Sequence, residues 1–567
     1  MLRKYSIDLE KSEPIQYVLG LFCVFVYAGV LFFPLMDKDA AHHANIALHM
    51  YEHNDYLSLV DRGSDYLDKP HFLFWSSLVS FKIFGVNSFA DRLPAVIYSL
   101  VSIWSTYKLA RHLSNRTTAK IAAIMLATAQ AFVLSVMDAR METPLTASII
   151  FGLWQLVVYV DHRKFINLLL GALGAAIAFS TKGWIGPVVI FISLFFYILL
   201  QKKWNVFASV KTWLFIPLFI LFISPVLYAY YVQYDLHPEK IIRGKANRSG
   251  IRFILWDQLF ERSQGFDQGR KGRNSDYFFL YHTFLWAFFP WCVFALMALV
   301  YWFRRMLGRK KWRHPFNFAA LAFAFLLFTI SFSKFKMPHY IIMLLPLAAL
   351  FTAPYLRYVL SFRKGIRFFY PFQLVFAALV IPVAIALNYY FFPPQNFFVW
   401  IFGTLLLLIL AFILVRRNSN KAVKILYITV GLSLVLNFFM NYNFFPSLLR
   451  YQGGNELAAQ MEHQGINIPD DQIVLIESDA HSFDFYRKHN HAVIGIENFP
   501  AAYNGNSDKY FLLSTKHVHE LKKDGFDVKA VVSHVDYNVT TVKMQFLNPA
   551  TRNETLDTLM LAKIIKL

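Results

Sequence analysis

Long apolar runs recur along almost the whole chain, and they constrain its fold more than any other feature. A helix that crosses a lipid bilayer needs about 20 mostly apolar residues. Hydrophobic residues make up 57% of the chain and charged residues only 16%, whereas a soluble domain carries roughly 25% charged residues. This composition excludes an ordinary soluble enzyme and a disordered chain. It predicts a polytopic membrane protein that is mainly α-helical.

Roughly thirteen apolar runs approach the length of a membrane span. They lie near 16–36, 92–110, 118–136, 144–160, 165–180, 184–200, 212–231, 279–303, 316–332, 340–357, 370–391, 397–415 and 423–441. A shorter run at 71–85 contains Lys82. That run predicts an amphipathic helix that lies in the membrane interface instead of a further crossing.

The positive charges predict the orientation of these spans. The net charge of +21 comes from Lys and Arg clusters between the apolar runs, which is typical of cytoplasmic loops and argues against nucleic acid as a partner. The opposite face then holds the loops 37–91 and 232–278 and the end of the chain. We expect a transmembrane domain at 1–444 and a soluble extracytoplasmic α/β domain at 445–567, where β-like and helical segments alternate.

The first candidate site follows the first apolar run. Asp39 stands directly after that run and His43 four residues later, so both would lie on one face of a helix. Asp39 suits two roles that the pattern leaves open, a helix cap and a general base at the membrane surface. His42, His49 and His53 fall on a neighbouring face and leave a divalent metal site open as an alternative.

Two further motifs place charges where spans begin. Lys69 stands between Asp68 and Pro70, and it can either reach towards lipid phosphates or bind a substrate phosphate. Glu142 stands where the next helix enters apolar surroundings. It is the second candidate acid, and a structural ion pair with Arg140 is the alternative.

Cations on the extracytoplasmic face indicate an anionic partner such as a lipid phosphate or a phosphorylated glycolipid. The loop 232–278 is strongly basic and includes Arg262. A short segment between two spans contains Lys336, His339 and Tyr340, whose side chains together can donate several hydrogen bonds to a phosphate. A solvated turn is the alternative for this segment.

In their order over about 16–350, these motifs resemble the bacterial membrane glycosyltransferases of the GT-C superfamily. The likeness is strongest to the lipid A aminoarabinose transferase branch, which is related to the protein O-mannosyltransferases. The matching segments are Asp39 to Met50, Asp68-Lys69-Pro70, Phe84-Gly85 to Arg92-Leu93-Pro94, Glu142-Thr143-Pro144-Leu145, Thr181-Lys182-Gly183 and Lys336-Met337-Pro338-His339-Tyr340.

The resemblance implies a GT-C fold and the transfer of a hexose or pentose from a polyprenyl-phosphate-linked donor to lipid A, another glycan or a protein. It implies a multi-pass protein of the bacterial inner membrane whose active site and C-terminal domain face the periplasm. The residues that it implicates are Asp39 and Glu142 as catalytic acids, Lys69, Arg262 and Tyr340 as phosphate ligands, and Lys336, His339 and His43 as further substrate contacts.

One departure from the family's pattern and two alternative functions accompany this resemblance. The family often has an Asp-Glu pair where this chain has Asp39 and Ala40, which leaves metal use open. A transporter or flippase for a lipid-linked or anionic solute is the main alternative, although transporters place ionisable residues at mid-membrane and these span centres are nearly free of charge. A phosphoethanolamine-type transferase would need a metal-binding soluble domain. The sequence does not identify the sugar or the acceptor.

Overall fold

The apolar runs fold into helices, because a segment in lipid must satisfy its backbone hydrogen bonds internally. The computed structural model describes Ile7, Leu9 and residues 14–242, 244–263, 266–267, 270–271, 276–308, 312–416, 420–503 and 509–566, with the side chains of 261–263, 266–267, 270–271 and 501–502 left out. The helices over the runs are Pro14–Gly29, Ser88–Leu113, Arg116–Ala127, Gln130–Met137, Glu142–His162, Phe165–Lys182, Ile185–Gln201, Phe215–Tyr230, Phe279–Ala287, Cys292–Leu307, Asn317–Ser331, Leu345–Val359, Arg363–Phe391, Phe397–Val415 and Lys421–Phe439.

The predicted count of thirteen spans is not confirmed. Among the described residues, eight helices are long and apolar enough to cross a membrane, or nine if the pair Arg116–Ala127 and Gln130–Met137, bent by 54°, forms one span. Two of the remaining runs form helices of fewer than 18 residues, Ile185–Gln201 and Asn317–Ser331. The run at 279–303 divides into two separate helices.

The predicted loop at 37–91 folds into a compact unit beside the helices. A wide helical turn, Asp37–Ala41, leads into helix His42–His53, and a two-residue hairpin, Val60–Asp61 with Ser64–Asp65, follows. A helix is present at the predicted interfacial run, Phe72–Phe84, and packs against its neighbours in the loop and the bundle, but it is apolar on both faces and therefore not amphipathic as predicted. One face of this helix is buried and the other exposes large apolar side chains.

The C-terminal region contains the predicted α/β arrangement, with helix Gly453–His463 before the first strand. Its sheet has the strand order Ala492–Ile494, Ile473–Ile476, Tyr510–Ser514, Asp557–Lys566 and Phe526–Asp536. The first three strands are parallel and the last two are antiparallel additions. Helices His481–Arg487 and Thr515–Lys523 follow the first and third strands along the chain.

Helix His481–Arg487 docks the C-terminal region onto the first loop. Arg62 of the hairpin donates from Nε to Asp484 Oδ2 at 2.7 Å, and these side chains are 9% and 0% exposed. Asp37 Oδ1 accepts a hydrogen bond from the Ser482 N–H at 2.6 Å. Tyr486 accepts at its hydroxyl from the Leu35 N–H. The loop and the C-terminal sheet are therefore joined by buried polar contacts.

A separate ionic cluster ties helices together at the other end of the bundle. Asp161, near the end of helix Glu142–His162, accepts from Lys203 and from the Tyr197 hydroxyl at 2.8 Å, and it lies 2.6 Å from His112 Nε2. Glu142 stands at the start of this helix and Asp161 near its end. The ionic cluster therefore lies about one helix length away from Glu142.

Candidate active site

Two antiparallel helices bring Glu142 and Lys182 together. Glu142 begins helix Glu142–His162 and Lys182 ends helix Phe165–Lys182. The helices approach closely because glycines face each other at the crossing: a Cβ on Gly174 would lie 2.7 Å from the Gly152 Cα. Small residues allow this kind of close helix packing in membranes. The first residue of one helix and the last residue of the other therefore meet.

Glu142 and Lys182 form a buried ion pair, with side chains that are 5% and 7% exposed. Lys182 Nζ donates to Glu142 Oε1, and His339 Nε2 lies 3.5 Å from the same oxygen. The Lys182 ammonium also lies 4.6 Å from the centre of the Tyr340 ring, a cation–π distance. Four side chains from three chain segments thus share one polar cluster.

Arg140 connects this cluster to Asp39. Its Nη2 lies 2.9 Å from Asp39 Oδ2, its Nη1 lies 2.9 Å from His339 Nδ1, and its Nε donates to Asp138. Burial raises the pKa of Asp138, although the adjacent Arg140 guanidinium lowers it. Asp39 is the more open carboxylate, with 44% of its side chain exposed. One guanidinium therefore links the exposed acid to the buried Glu142 cluster.

A cavity of about 420 Å³ opens beside the polar cluster. Glu142, Lys182, His339 and Tyr340 line one part of it. Most of the remaining lining is apolar and comes from residues that include Leu145, Ile185, Ile254, Leu259, Phe332 and Met343. The cavity therefore combines a charged end with a wall that suits hydrocarbon.

Lys69 and His43 lie in the first loop, close to one another. Lys69 pairs with Asp68, and its side chain is 16% exposed. His43 Nε2 lies 3.4 Å from the Tyr66 hydroxyl. Burial lowers the pKa of His43 to about 3, with the charges of His42 and Lys69 acting in the same direction. The His43 imidazole is therefore neutral at physiological pH and can form hydrogen bonds but no ion pair.

Two predicted ligands are not brought to the cluster by the described contacts. Lys336 Nζ donates to the carbonyl oxygens of Asp276 at 2.8 Å and Ser331 at 2.7 Å. These bonds hold Lys336 at the end of helix Asn317–Ser331, so its role as a substrate contact stays a prediction. The side chain of Arg262 lies outside the described residues.

The structure bears on two alternatives raised by the sequence, Asp39 as a helix cap and a divalent metal site. Asp39 lies inside the wide turn and makes no helix-capping hydrogen bond, so the interpretation as a cap is wrong. Within the described parts of the chain, no group of three or more His, Cys, Asp or Glu side chains could hold a metal ion. His42 instead pairs with Asp61 at 2.9 Å.

Comparison with known proteins relates this arrangement to glycosyltransferases. Residues 68–229 match the family model described as dolichyl-phosphate-mannose-protein mannosyltransferase. An uncharacterized protein of Aquifex aeolicus is 25% identical over 67% of this chain and 70% of its own length. Undecaprenyl phosphate-alpha-4-amino-4-deoxy-L-arabinose arabinosyl transferase 2 of Proteus mirabilis is 25% identical over 60% of this chain, which spans 58% of that enzyme.

A solved structure extends the likeness to the whole chain. ArnT from Cupriavidus metallidurans bound to undecaprenyl phosphate superposes with a TM-score of 0.73, covering 97% of this chain and 98% of that chain at 14% identity. The chain therefore has the fold of that ArnT structure. The resemblance of its ordered motifs and the predicted GT-C fold class are thereby confirmed, while the roles of individual side chains depend on their contacts in this structure.

Sequence reasoning assigned no site role to Lys182 or Arg140, two cations of the polar cluster. Lys182 lies in the Thr181-Lys182-Gly183 motif. The feature that could have identified it as a site residue is its position as a charge at the end of an apolar run. Arg140 was weighed as an ion-pair partner of Glu142. It pairs instead with Asp138 and Asp39, while Glu142 pairs with Lys182.

Arg92 joins the two chain segments that carry the candidate acids. It is 1% exposed. Its Nη1 and Nη2 donate to the carbonyl oxygens of Phe33 and Pro34, just before the Asp39 turn, and its Nε donates to the Met137 carbonyl at 2.8 Å, just before Asp138. One planar guanidinium therefore sets the spacing between the two acidic segments.

We expect Arg92→Lys to lower both stability and turnover. A lysine cannot reproduce the planar three-way donation, so buried carbonyls lose partners and the free energy of unfolding falls by about 2–3 kcal/mol. Turnover should fall by about tenfold or more, because small misplacements of catalytic groups are costly. Arg111→Lys, on the exposed side of the same helix, is the control. Reduced stability with normal turnover would show that Arg92 supports only the fold.

Proposed function

We propose that the chain transfers a sugar from a polyprenyl-phosphate-linked donor to lipid A or to another envelope glycoconjugate or protein. The observation that carries this proposal is the cavity of about 420 Å³ whose apolar lining adjoins Lys182, His339 and Tyr340. Its apolar part suits a prenyl chain, and its polar end suits a phosphate. The arabinosyl transferases among the relatives are named for an undecaprenyl phosphate donor, and ArnT was solved with undecaprenyl phosphate.

In this proposal, the cations of the cluster stabilise the departing phosphate. The bond between the anomeric carbon and the phosphate oxygen breaks, and negative charge develops on polyprenyl phosphate. Fixed donors in a low-dielectric site stabilise such charge strongly. Lys182, His339 and Tyr340 line the cavity where this oxygen would lie, and Lys69 of the first loop stays a predicted further ligand. Arg262 stays a predicted ligand outside the described residues.

Asp39 acts on the acceptor. Its carboxylate is the more solvent-exposed of the candidate acids, and its Oδ2 lies 2.9 Å from Arg140 Nη2. An acceptor oxygen forms the new bond to the anomeric carbon, and its proton passes to the Asp39 carboxylate as that bond forms. The products are the glycosylated acceptor and polyprenyl phosphate. Arg140 keeps the carboxylate in place before the acceptor binds.

Glu142, predicted as the second catalytic acid, acts here as a positioning residue. Its Oε1 accepts from Lys182 and lies 3.5 Å from His339, and the side chain is 5% exposed. The carboxylate therefore fixes two phosphate ligands and balances the charge of Lys182.

We further propose that the site and the C-terminal region face the periplasm. The protein is a multi-pass membrane protein, as its helices and its likeness to ArnT show. Lys203, Arg304 and Arg357 lie at helix ends on the side away from Glu142. Clusters of this kind favour the cytoplasmic side.

A reconstituted reaction tests the proposal. The purified protein in liposomes should convert undecaprenyl phosphate-4-amino-4-deoxy-L-arabinose and lipid A into modified lipid A and undecaprenyl phosphate. Mass spectrometry would detect the added pentose, and Asp39→Asn protein is the control. Movement of the donor across the bilayer with no covalent product on lipid A, glycan or protein would favour a flippase instead.

A further inference from the structure

A buried glutamine lies between two motifs of the site. Gln258 is 4% exposed, and its Nε2 donates to the Asp68 carbonyl oxygen at 3.1 Å. Its Oε1 lies beside Gly183, where an added Cβ would be only 3.3 Å from it. One side-chain amide therefore lies between the Asp68-Lys69 segment of the first loop and the motif that carries Lys182.

The backbone that carries Gln258 is held to the same part of the helix bundle. Leu255 stands three residues earlier, about one helical turn away, and its carbonyl oxygen accepts from Trp184 Nε1 at 2.6 Å. Trp184 directly follows the lysine motif. Earlier along the chain, Asp235 Oδ2 accepts from the Gly250 N–H at 2.8 Å. The Gln258 side chain therefore extends from a fixed position next to the polar cluster.

The cation that follows Asp68 lies close to that cluster. Burial lowers the pKa of His43, and the charges of Lys69 and Glu142 shift this pKa in opposite directions. Lys69 and Glu142 therefore lie near the same imidazole. Pro70 restricts the backbone of the lysine before it, so a contact that fixes this short segment also limits where the Lys69 side chain can reach.

We propose that Gln258 is a positioning residue that holds the Asp68-Lys69 segment beside the donor cavity, so that the Lys69 ammonium can bind the donor phosphate. The proposal rests on the proposed transfer from a polyprenyl-phosphate donor. Gln258 lines the cavity of about 420 Å³ together with Lys182, so the segment that it holds adjoins the phosphate end. Small displacements of a charged ligand group are costly, which gives this one hydrogen bond an effect on donor binding.

A direct contact between Gln258 and the donor is the alternative, because the side chain lines the cavity. The two roles differ in their dependence on Lys69. If Gln258 acts through the Lys69 ammonium, its loss has no further effect once that ammonium is absent. If it touches the donor itself, the two losses add. A double-mutant cycle measures this difference.

Binding of undecaprenyl phosphate to the full-length protein in detergent, measured by native mass spectrometry, provides the cycle. Gln258→Met keeps the side-chain volume but loses the donor, and it should weaken binding by about tenfold. Lys69→Met should weaken binding by about 10–100-fold, since a charged hydrogen bond to phosphate is lost. The double variant should bind as Lys69→Met does. Gln464→Met, the same change at an exposed position of the C-terminal region, should bind as the unaltered protein does.

Two results of this cycle would overturn the proposal. Unchanged affinity in Gln258→Met would show that the hydrogen bond to Asp68 does not support donor binding. A further tenfold loss in the double variant would assign Gln258 a direct donor contact instead. Gln258→Asn is one methylene shorter and retains an amide, so it provides the same test if the Met variant does not fold. The unfolding midpoint of each variant in detergent checks that it is folded.

Kinetics separate a positioning role from a general disturbance of the fold. In the transfer assay, Gln258→Met should raise the donor KM by about tenfold and leave the acceptor KM unchanged, whereas an equal rise in both would contradict the proposal. If the unaltered protein binds undecaprenyl phosphate but transfers no sugar, the proposed function fails and the binding cycle still decides the role of Gln258. If it does not bind undecaprenyl phosphate, both proposals fail.

Discussion

Asp39→Asn is expected to lower kcat by about 10³-fold, since general-base catalysis contributes about 10²–10⁴-fold. The amide has nearly the shape of the carboxylate, and its oxygen can still accept from Arg140, which lies 2.9 Å from Asp39. It cannot take the proton of the acceptor. The measurement is turnover in liposomes at saturating donor and acceptor.

The control for this variant is Asp471→Asn, the same chemical change at an exposed position of the C-terminal region. Its turnover should match that of the unaltered protein. Donor affinity should survive in Asp39→Asn, because the cations at the phosphate end of the cavity are untouched. Near-normal turnover with Asn at 39 would reject the assigned role.

Lys182→Met is expected to reduce both turnover and stability. Removing a fixed donor to developing charge lowers kcat by about 10²–10³-fold. The substitution also leaves Glu142 as a buried carboxylate without its ammonium partner, both side chains being less than 10% exposed. Breaking a buried pair in this way costs about 3–5 kcal/mol. Turnover and the unfolding midpoint in detergent are the two measurements.

The double variant Lys182→Met with Glu142→Gln separates these two effects. It has no unbalanced buried charge, so most of the lost stability should return. Turnover should stay low, because the Lys182 ammonium is missing from the phosphate end of the cavity. A double variant that regains turnover would show that Lys182 serves only to neutralise Glu142.

The sequence predicted the helices better than their number of crossings. Length and apolar composition locate a helix, since the backbone in lipid has few other options. They do not reveal where one run breaks: the run at 279–303 divides between Phe279–Ala287 and Cys292–Leu307. They also do not reveal the bend between Arg116–Ala127 and Gln130–Met137. Such breaks depend on packing between helices.

The candidate site was predictable in part. Asp39, Glu142, His339 and Tyr340 stand at the ends of apolar runs, and the structure brings them to one cluster. Their pairing could not be read from spacing. Whether Arg140 pairs with Glu142 or with Asp39 depends on how the chain turns after Asp138, where Ala139 has a positive φ of 43°.

The buried pair of Arg62 and Asp484 also governs how substrates arrive. Lifting the C-terminal region away would break this ion pair, whose side chains are 9% and 0% exposed, and the hydrogen bond from Ser482 to Asp37. We therefore expect the region to stay docked during turnover. A lipid-linked donor would then enter laterally from the surrounding membrane leaflet. Its supply would depend on lateral diffusion in the membrane and on the lipids around the entrance to the cavity.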